Sequence, residues 1–281
     1  MNQEGASVGE AIRGAAERLA AGSDTARLDA ELLMAHVLGA TRSDLLLHHM
    51  RDAVPVGFAA LVERRARHEP VAHILGRQEF YGLDLRVTRD TLIPRGDSET
   101  LIEAAREWFA DREPPARILD LGTGTGALLL AALSLWPRAE GVGIDASEAA
   151  LAVAQENAAA LGMGDRVVMR LEDWRQERWT EGLGCYDLIL CNPPYVEEDA
   201  ELAPSVRDHE PGRALFAGAE GLDDYRVLIP ALRGLLAPGA PAILEIGSSQ
   251  AAAVGELAGA AGFAAALHRD LADRPRALLL T

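Results

Sequence analysis

In the stretch YDLILCNPPYVEED (residues 186–199) an apolar run ends abruptly on Asn192, Pro193, Pro194 and Tyr195. These residue types can handle a poor nitrogen nucleophile. The lone pair of a planar amide or aryl amine is delocalised, so the nitrogen reacts only when it is held and aimed. The Asn192 side-chain oxygen can accept one N–H of such a group and the Pro193 carbonyl the other, which points the lone pair at an electrophilic carbon. Two prolines stiffen the turn and set its geometry in advance, and Tyr195 can stack on the flat group. This is catalysis by orientation, and it needs no strong base. On these four residues alone, a proline-rich strand exit without chemistry is the other reading.

Upstream, ILDLGTGTGALLLAAL (118–133) places a glycine-rich turn between a strand and a helix, at the carboxyl edge where open α/β sheets bind ligands. Gly122, Gly124 and Gly126, with Thr123 and Thr125 between them, let the backbone approach a ligand that side chains would exclude. The pattern is G-x-G-x-G preceded by Asp120. It is neither the dinucleotide G-x-G-x-x-G nor a phosphate loop ending in G-K-[ST], and no Lys or Arg is near. A ligand without phosphate is expected. Asp145 ends the next strand in GVGIDAS, where a carboxylate can accept hydrogen bonds from both ribose hydroxyls. Its other reading is a helix N-cap, a role Ser147 fits better. Asp173 and Trp174 in RLEDW close a third strand and suit an adenine, with the exocyclic amine bonded and the ring stacked; by themselves they are more often a surface loop. Together these sites describe a pocket for a phosphate-free nucleoside. S-adenosylmethionine is the expected occupant, its sulfonium placed among Asp120, Asp145 and Asp173.

Such residues must be positioned by a sheet. From ARILDLG onward the chain repeats strand, turn and helix, with strands expected at 117–121, 141–145, 166–171, 186–191, 241–246, about 263–268 and 276–281. Helices are expected at 126–135, 147–161, 222–236 and 249–261. Strands spaced by helices imply a largely parallel sheet covered on both faces. The first seventy residues read instead as helices: VGEAIRGAAERLAAG, ARLDAELLMAHVLG with Asp24 as N-cap, SDLLLHHM, and VGFAALVERRARHEP stopped by Pro70. Between the two regions, Phe80, Leu83, Leu85 and Val87 around Gly82 suggest a β-hairpin. The expected division is a helical domain at 1–75, a hairpin linker at 76–96 and an α/β domain at 97–281.

At 281 residues, with 49% hydrophobic and 25% charged residues, the chain is globular and large enough for one large domain plus a smaller one. Its apolar runs are too short or too interrupted to cross a bilayer. MNQEGASVGEAIRG lacks the basic start and apolar core of a signal peptide, so a cytoplasmic protein is expected. Cys185 and Cys191 fit no common zinc or redox spacing. His48 and His49 face different ways on a helix and find no second ligand cluster, so no metal is expected. ERRARHE reads as a solvated helix face, and EPGRALFAG as a candidate loop near the substrate with no chemical role of its own. Net charge is −16, and because residues 1–88 hold 10 Arg against 12 acidic residues, most of it falls on residues 89–281. Such a field repels a polyanion unless a local basic patch intervenes, so neither nucleic acid nor membrane is expected as partner; a monomer is expected.

The motifs together are specific. PVAHILGRQEFYGLDLRV, LIPRGDSETLIE, DLGTGTG, GIDAS, EDW, CNPPY and EPGRALFAG, with the helical N-terminal region, resemble the HemK/PrmC family from end to end. The resemblance implies an S-adenosylmethionine-dependent methyltransferase that modifies the glutamine side-chain amide in the Gly-Gly-Gln motif of peptide chain release factors. It implies an α/β fold: a seven-stranded Rossmann-like sheet with a reversed last strand, and a small helical domain joined by a β-hairpin. It also implies cofactor contacts at Gly122–Gly126, Asp145, Trp174 and Asn192, with glutamine held by Asn192–Tyr195. One departure is visible: Gly96 stands in PRGDSE where the family usually has proline, which loosens that turn, although Arg95 and Glu99 are kept. The nearest competing function is methylation of an adenine amine in nucleic acid, since NPPY serves an aryl amine equally well. It would normally need a basic recognition surface.

Overall fold

The computed structural model describes residues 6–281. Residues 1–5, where the expected helical domain and the stretch read against a signal peptide begin, lie outside the described residues. The chain forms two compact units, one of residues up to Arg77 together with Leu202–His209, the other of Gln78–Glu201 and Glu210–Thr281.

The first unit is helical. Its helices Val8–Leu19, Ala26–Leu38, Phe58–Ala66 and Val71–Leu75 bury Val8, Ile12, Leu33, Met34, Phe58 and Ile74 in one core. The first helix opens on a capping box. Ser7 Oγ accepts the Glu10 N–H, and the Glu10 carboxylate accepts the Ser7 N–H at 2.8 Å. The second helix departs from expectation. Its N-cap is Thr25, not Asp24, and no side chain caps it. The reason lies one turn on, where buried Asp29 takes the hydroxyls of Ser23 and Thr25 at 2.7 and 2.9 Å and pairs with Arg65 at 2.7 Å. Pro70 also differs: the preceding helix ends at Ala66, His68 adopts a left-handed φ of 66°, and Pro70 opens the short helix Val71–Leu75. SDLLLHHM forms one α-turn, Arg42–Asp44, and then the π-helical turn Leu45–His49.

The second unit holds the sheet. The hairpin β1 (Arg77–Phe80) and β2 (Leu83–Arg86) turns through Tyr81 and Gly82, both at positive φ. Phe80 and Leu85 are buried with Leu101, Ile102 and Leu129 in the core of this unit. Seven further strands follow: β3 (Arg117–Leu121), β4 (Glu140–Asp145), β5 (Val167–Leu171), β6 (Leu188–Cys191), β7 (Ala242–Glu245), β8 (Ala265–Arg269) and β9 (Pro275–Leu280). Their order across the sheet is β5-β4-β3-β6-β7-β9-β8. The first five are parallel, and β9 runs against both β7 and β8, so the last strand is reversed as expected. β6 begins at Leu188 because Tyr186 makes only an isolated bridge to Leu236. The order matters for function. The chain leaves β3 toward β4 on one side and later places β6 on the other, which opens a crevice at the carboxyl ends of these strands.

Gly96 begins the 3₁₀ turn Gly96–Ser98 that leads into the helix Glu99–Trp108. Its φ lies outside the left-handed region, and a Cβ there would meet nothing within 4 Å. As first residue of the turn it has an N–H that no helix bond needs. Arg95 before it is extended, φ −103° and ψ 141°, which suits a following proline. Nothing in this turn therefore requires glycine. Gly96→Pro is expected to stabilise the protein by about 0.4–1 kcal/mol through the unfolded chain. The check is the midpoint of chemical denaturation; a lower midpoint would mean that the turn uses the glycine after all.

Candidate active site

The carboxyl ends of β3, β4 and β6 border a cavity of about 250 Å³, among whose walls are Asp120, Gly122, Asp145, Trp174, Asn192 and Arg213. The glycine turn forms its floor. Gly122 and Thr123 both donate their N–H groups to the Ile144 carbonyl, at 2.9 and 2.8 Å, which ties the turn to β4. Gly122 has φ 73°, and a Cβ on it would sit 3.0 Å from Trp174 Cη2. Conformation and space therefore both call for glycine there. Trp174 is fixed in turn, because its indole N–H donates to Asp224 Oδ1 at 2.6 Å and Arg175 holds the same buried carboxylate at 3.0 Å. Asp173 accepts the Arg175 backbone N–H at 2.9 Å and borders the cavity.

Three acids give the cavity its charge. The Asp145 carboxylate accepts the N–H groups of Gly124 and Ser147, at 3.0 and 2.8 Å, and faces Arg213 at 3.4 Å. Ser147 caps the helix Glu148–Ala160, accepting the Ala150 N–H at 3.2 Å, so Asp145 is free of the capping role as expected. Asp120 is only 1% exposed. Its Oδ2 accepts the Thr123 hydroxyl at 2.7 Å, while Oδ1 has no hydrogen-bond partner. Burial pushes the Asp120 carboxyl up to about 7, the Thr123 bond opposes this in part, and the Asp145 charge adds to it.

The NPPY turn is held from several sides. Asn192 donates Nδ2 to Ser98 Oγ at 3.4 Å, and Tyr195 donates its hydroxyl to Glu245 Oε1 at 3.1 Å. The backbone N–H groups of Tyr195 and Val196 reach the Leu215 carbonyl at 3.1 and 2.8 Å, and Gln250 Nε2 reaches the Tyr195 carbonyl at 3.0 Å. Asn192 and Pro194 border the cavity, as do Gly122 to Thr125. Pro193 and Tyr195 do not, and Gly126 sits behind, against Leu130 and Ala154. Burial and the Glu245 charge push the Tyr195 phenol up, so it stays a neutral donor.

Three residues here escaped sequence reasoning. Arg213 faces Asp145 from EPGRALFAG, the stretch to which no chemistry was assigned. In the same stretch buried Glu210 accepts the Ile93 N–H at 3.0 Å and pairs with Arg95, which fastens the segment LIPRG. Ser98 supports Asn192 from 94 residues away. The only signal was that both stretches carried the family resemblance.

Comparison with known proteins agrees with this geometry. The PrmC N-terminal domain family matches residues 10–76, and a methyltransferase domain family matches residues 113–211. The release factor glutamine methyltransferase of Cereibacter sphaeroides is 45% identical over 278 residues, 95% of this chain and 95% of its own. That of Caulobacter vibrioides is 41% identical over 249 residues, 86% of this chain and 84% of its own. Among solved structures, the catalytic domain of hMettl16 in complex with MAT2A 3′UTR hairpin 1 aligns with a TM-score of 0.57 at 16% identity, over 88% of this chain and 90% of its own; the likeness is one of fold. With identity of this order along nearly the whole chain, the protein belongs to the release factor glutamine methyltransferase family and is an S-adenosylmethionine-dependent methyltransferase.

Proposed function

We propose that this chain transfers a methyl group from S-adenosylmethionine to the side-chain amide nitrogen of the glutamine in the Gly-Gly-Gln motif of peptide chain release factors. The observation that carries this reading is the opening of Asn192, from the end of β6, onto the cavity that the glycine turn floors from the end of β3. The residues present fit the cofactor. Asp120 keeps a buried oxygen without a partner, Gly122 leaves the space that a Cβ would fill, and Asp145 is spared from capping its helix. Asp145 would hold the ribose hydroxyls, Asp173 and Trp174 the adenine, and the turn from Gly122 to Gly126, with Thr123 and Thr125, the remainder. Bound there, S-adenosylmethionine supplies a methyl carbon activated by its sulfonium. The Asn192 oxygen and the Pro193 carbonyl take the two amide hydrogens of the glutamine, while Pro194 and Tyr195 fix the turn. No strong base is needed to start the reaction, because orientation aims the lone pair; as the C–N bond forms, the bond from sulfur to the methyl carbon would break, S-adenosylhomocysteine would leave, and the nitrogen would release one proton to solvent.

The helical unit is assigned to recognition of the protein substrate, and the chain to work as a monomer in the cytoplasm, where translation terminates. Among the described residues no helix is long and apolar enough to cross a membrane. The net charge of −16 favours a protein substrate over nucleic acid. Incubation with labelled S-adenosylmethionine and either an unmodified release factor or RNA and DNA decides the substrate. Label is expected on the release factor alone, and label on nucleic acid would reverse the assignment.

The charge state of Asp120 gives a second expectation. Below about pH 7 the buried carboxyl holds its proton, and above it the carboxylate faces the cavity. A cationic cofactor favours the carboxylate, so its affinity should fall as pH drops through 7, by up to about tenfold per unit. Calorimetry across pH 5.5–8.5, about 1.5 units either side, should find this slope in the parent and a flatter one in Asp120→Asn. Equal slopes would remove Asp120 from the cofactor site. Asn192→Ala should lower single-turnover methyl transfer at saturating cofactor by at least roughly a hundredfold, with little change in cofactor affinity. A folded variant at the parental rate would refute the role given to Asn192.

A further inference from the structure

We propose that Asn157 is a positioning residue for the cofactor, which holds the far end of the glycine turn and braces it against the β-hairpin. The inference rests on the reading of the cavity as the S-adenosylmethionine site. The sheet edge secures only the first part of the turn. The Ile144 carbonyl takes the N–H groups of Gly122 and Thr123, and the Asp145 carboxylate takes that of Gly124. The end of the turn lacks this support. Thr125 precedes Gly126, the N-cap of the helix Ala127–Leu135, so the Thr125 carbonyl lies outside the bonds of that helix. Gly126 has φ 84°, and a glycine leaves the peptide before it more than one orientation. Something beyond the turn has to hold that peptide.

Asn157 does so from behind. It lies in the last turn of the helix Glu148–Ala160, is buried, and is not among the walls of the cavity. Its Nδ2 donates to the Thr125 carbonyl at 2.9 Å and to the Arg86 carbonyl at 3.0 Å, while its Oδ1 accepts the Arg86 N–H at 2.7 Å. These partners fix which end of the amide is which, because a backbone N–H can only donate and a carbonyl can only accept. The Gly126 N–H meanwhile reaches the Thr123 carbonyl at 2.7 Å. The peptide between Thr125 and Gly126 is thus gripped at its oxygen and at its N–H. An amide side chain brings two donors and one acceptor to this place, a set that neither a carboxylate nor a hydroxyl reproduces. The clamp reaches two walls at once. Thr125 borders the cavity, and Arg86 ends β2 shortly before Asp90, Thr91, Leu92 and Pro94, which border it as well. One helix therefore holds the turn twice, through Asp145 just before its start and through Asn157 near its end.

Asn157→Asp tests this with almost no change in shape. It keeps the acceptor for the Arg86 N–H but, once ionised, has no donor and sets a negative charge against the Thr125 and Arg86 carbonyls. We expect the Kd of S-adenosylmethionine, measured by calorimetry, to rise at least about tenfold. A role in folding alone would lower the melting temperature and leave the Kd of the folded protein where it was. A parental Kd in folded Asn157→Asp would therefore overturn the proposal. Should Asn157→Asp not fold, Asn157→Ser decides by the same measurement, since it buries no charge and its single hydroxyl proton cannot serve both carbonyls. The same rise is expected there, and a parental Kd would again overturn the proposal. Asp145→Ala tests the reading beneath. If it too kept the parental affinity, the cavity would not be the cofactor site; a weakened Asp145→Ala beside an unchanged Asn157→Asp would remove the role of Asn157 alone.

Discussion

The Ile144 carbonyl accepts two N–H groups, those of Gly122 and Thr123, and so binds the turn leaving β3 to the strand beside it. The turn cannot rise from the sheet edge without abandoning both bonds. Because it stays low, the cavity exists, and because position 122 has no side chain, Trp174 can lie against the turn and wall the cavity off. The Gly124 N–H then reaches Asp145 at the end of β4, which fixes that carboxylate with the same stroke. Two neighbouring strand ends thus form one rigid rim, and the parallel pairing of β3 with β6 brings Asn192 to it.

Around this rim, buried carboxylates do the work of organising loops. Asp224 holds Trp174 and Arg175, Glu210 holds Ile93 and Arg95, and Glu245 holds Tyr195. Each draws N–H or O–H groups from segments distant in sequence, and each is 7% exposed or less. A buried acid costs free energy unless donors satisfy it, so each one selects a single arrangement of the segments around it. Asp120 and Glu245 each keep one oxygen that finds no donor among the described residues, and of the two it is Asp120 that borders the cavity. An incompletely satisfied acid at the edge of a cavity is what a cationic ligand would complete, and its burial raises the carboxyl in the meantime.

This arrangement also separates holding from reacting. Among the NPPY residues, Asn192 and Pro194 reach the cavity while Tyr195 turns its hydroxyl inward to Glu245. Tyr195 thereby serves the turn as an anchor, with its backbone N–H, carbonyl and hydroxyl all bonded to other segments. The stiffness that two prolines lend to the turn is useful only because its far end is anchored in this way.

Much of this was legible in the residues. Central parallel strands are buried on both faces, so they read as unbroken apolar runs, and ARILDLG, YDLILC and PAILEIG stand out for that reason. The glycine turn, Asp145 and NPPY announce themselves because turn chemistry is local and uses few residue types. Local rules also failed locally. Asp24 looked like a cap, yet Asp29 drew the neighbouring hydroxyls inward to meet Arg65, a partner 36 residues away. Pro70 looked like a helix stop and instead opened a helix, because His68 had already turned the chain. What the sequence determined by itself was the set of strands, the turns at their ends and the chemistry those turns could support. Only the tertiary structure decided that Arg213 would face Asp145, that Glu210 would fasten LIPRG, that Ser98 would meet Asn192 and that Glu245 would take the Tyr195 hydroxyl. The reason is physical: periodicity reports which face of an element is buried, whereas the order of strands in the sheet decides which buried faces and which loop ends become neighbours.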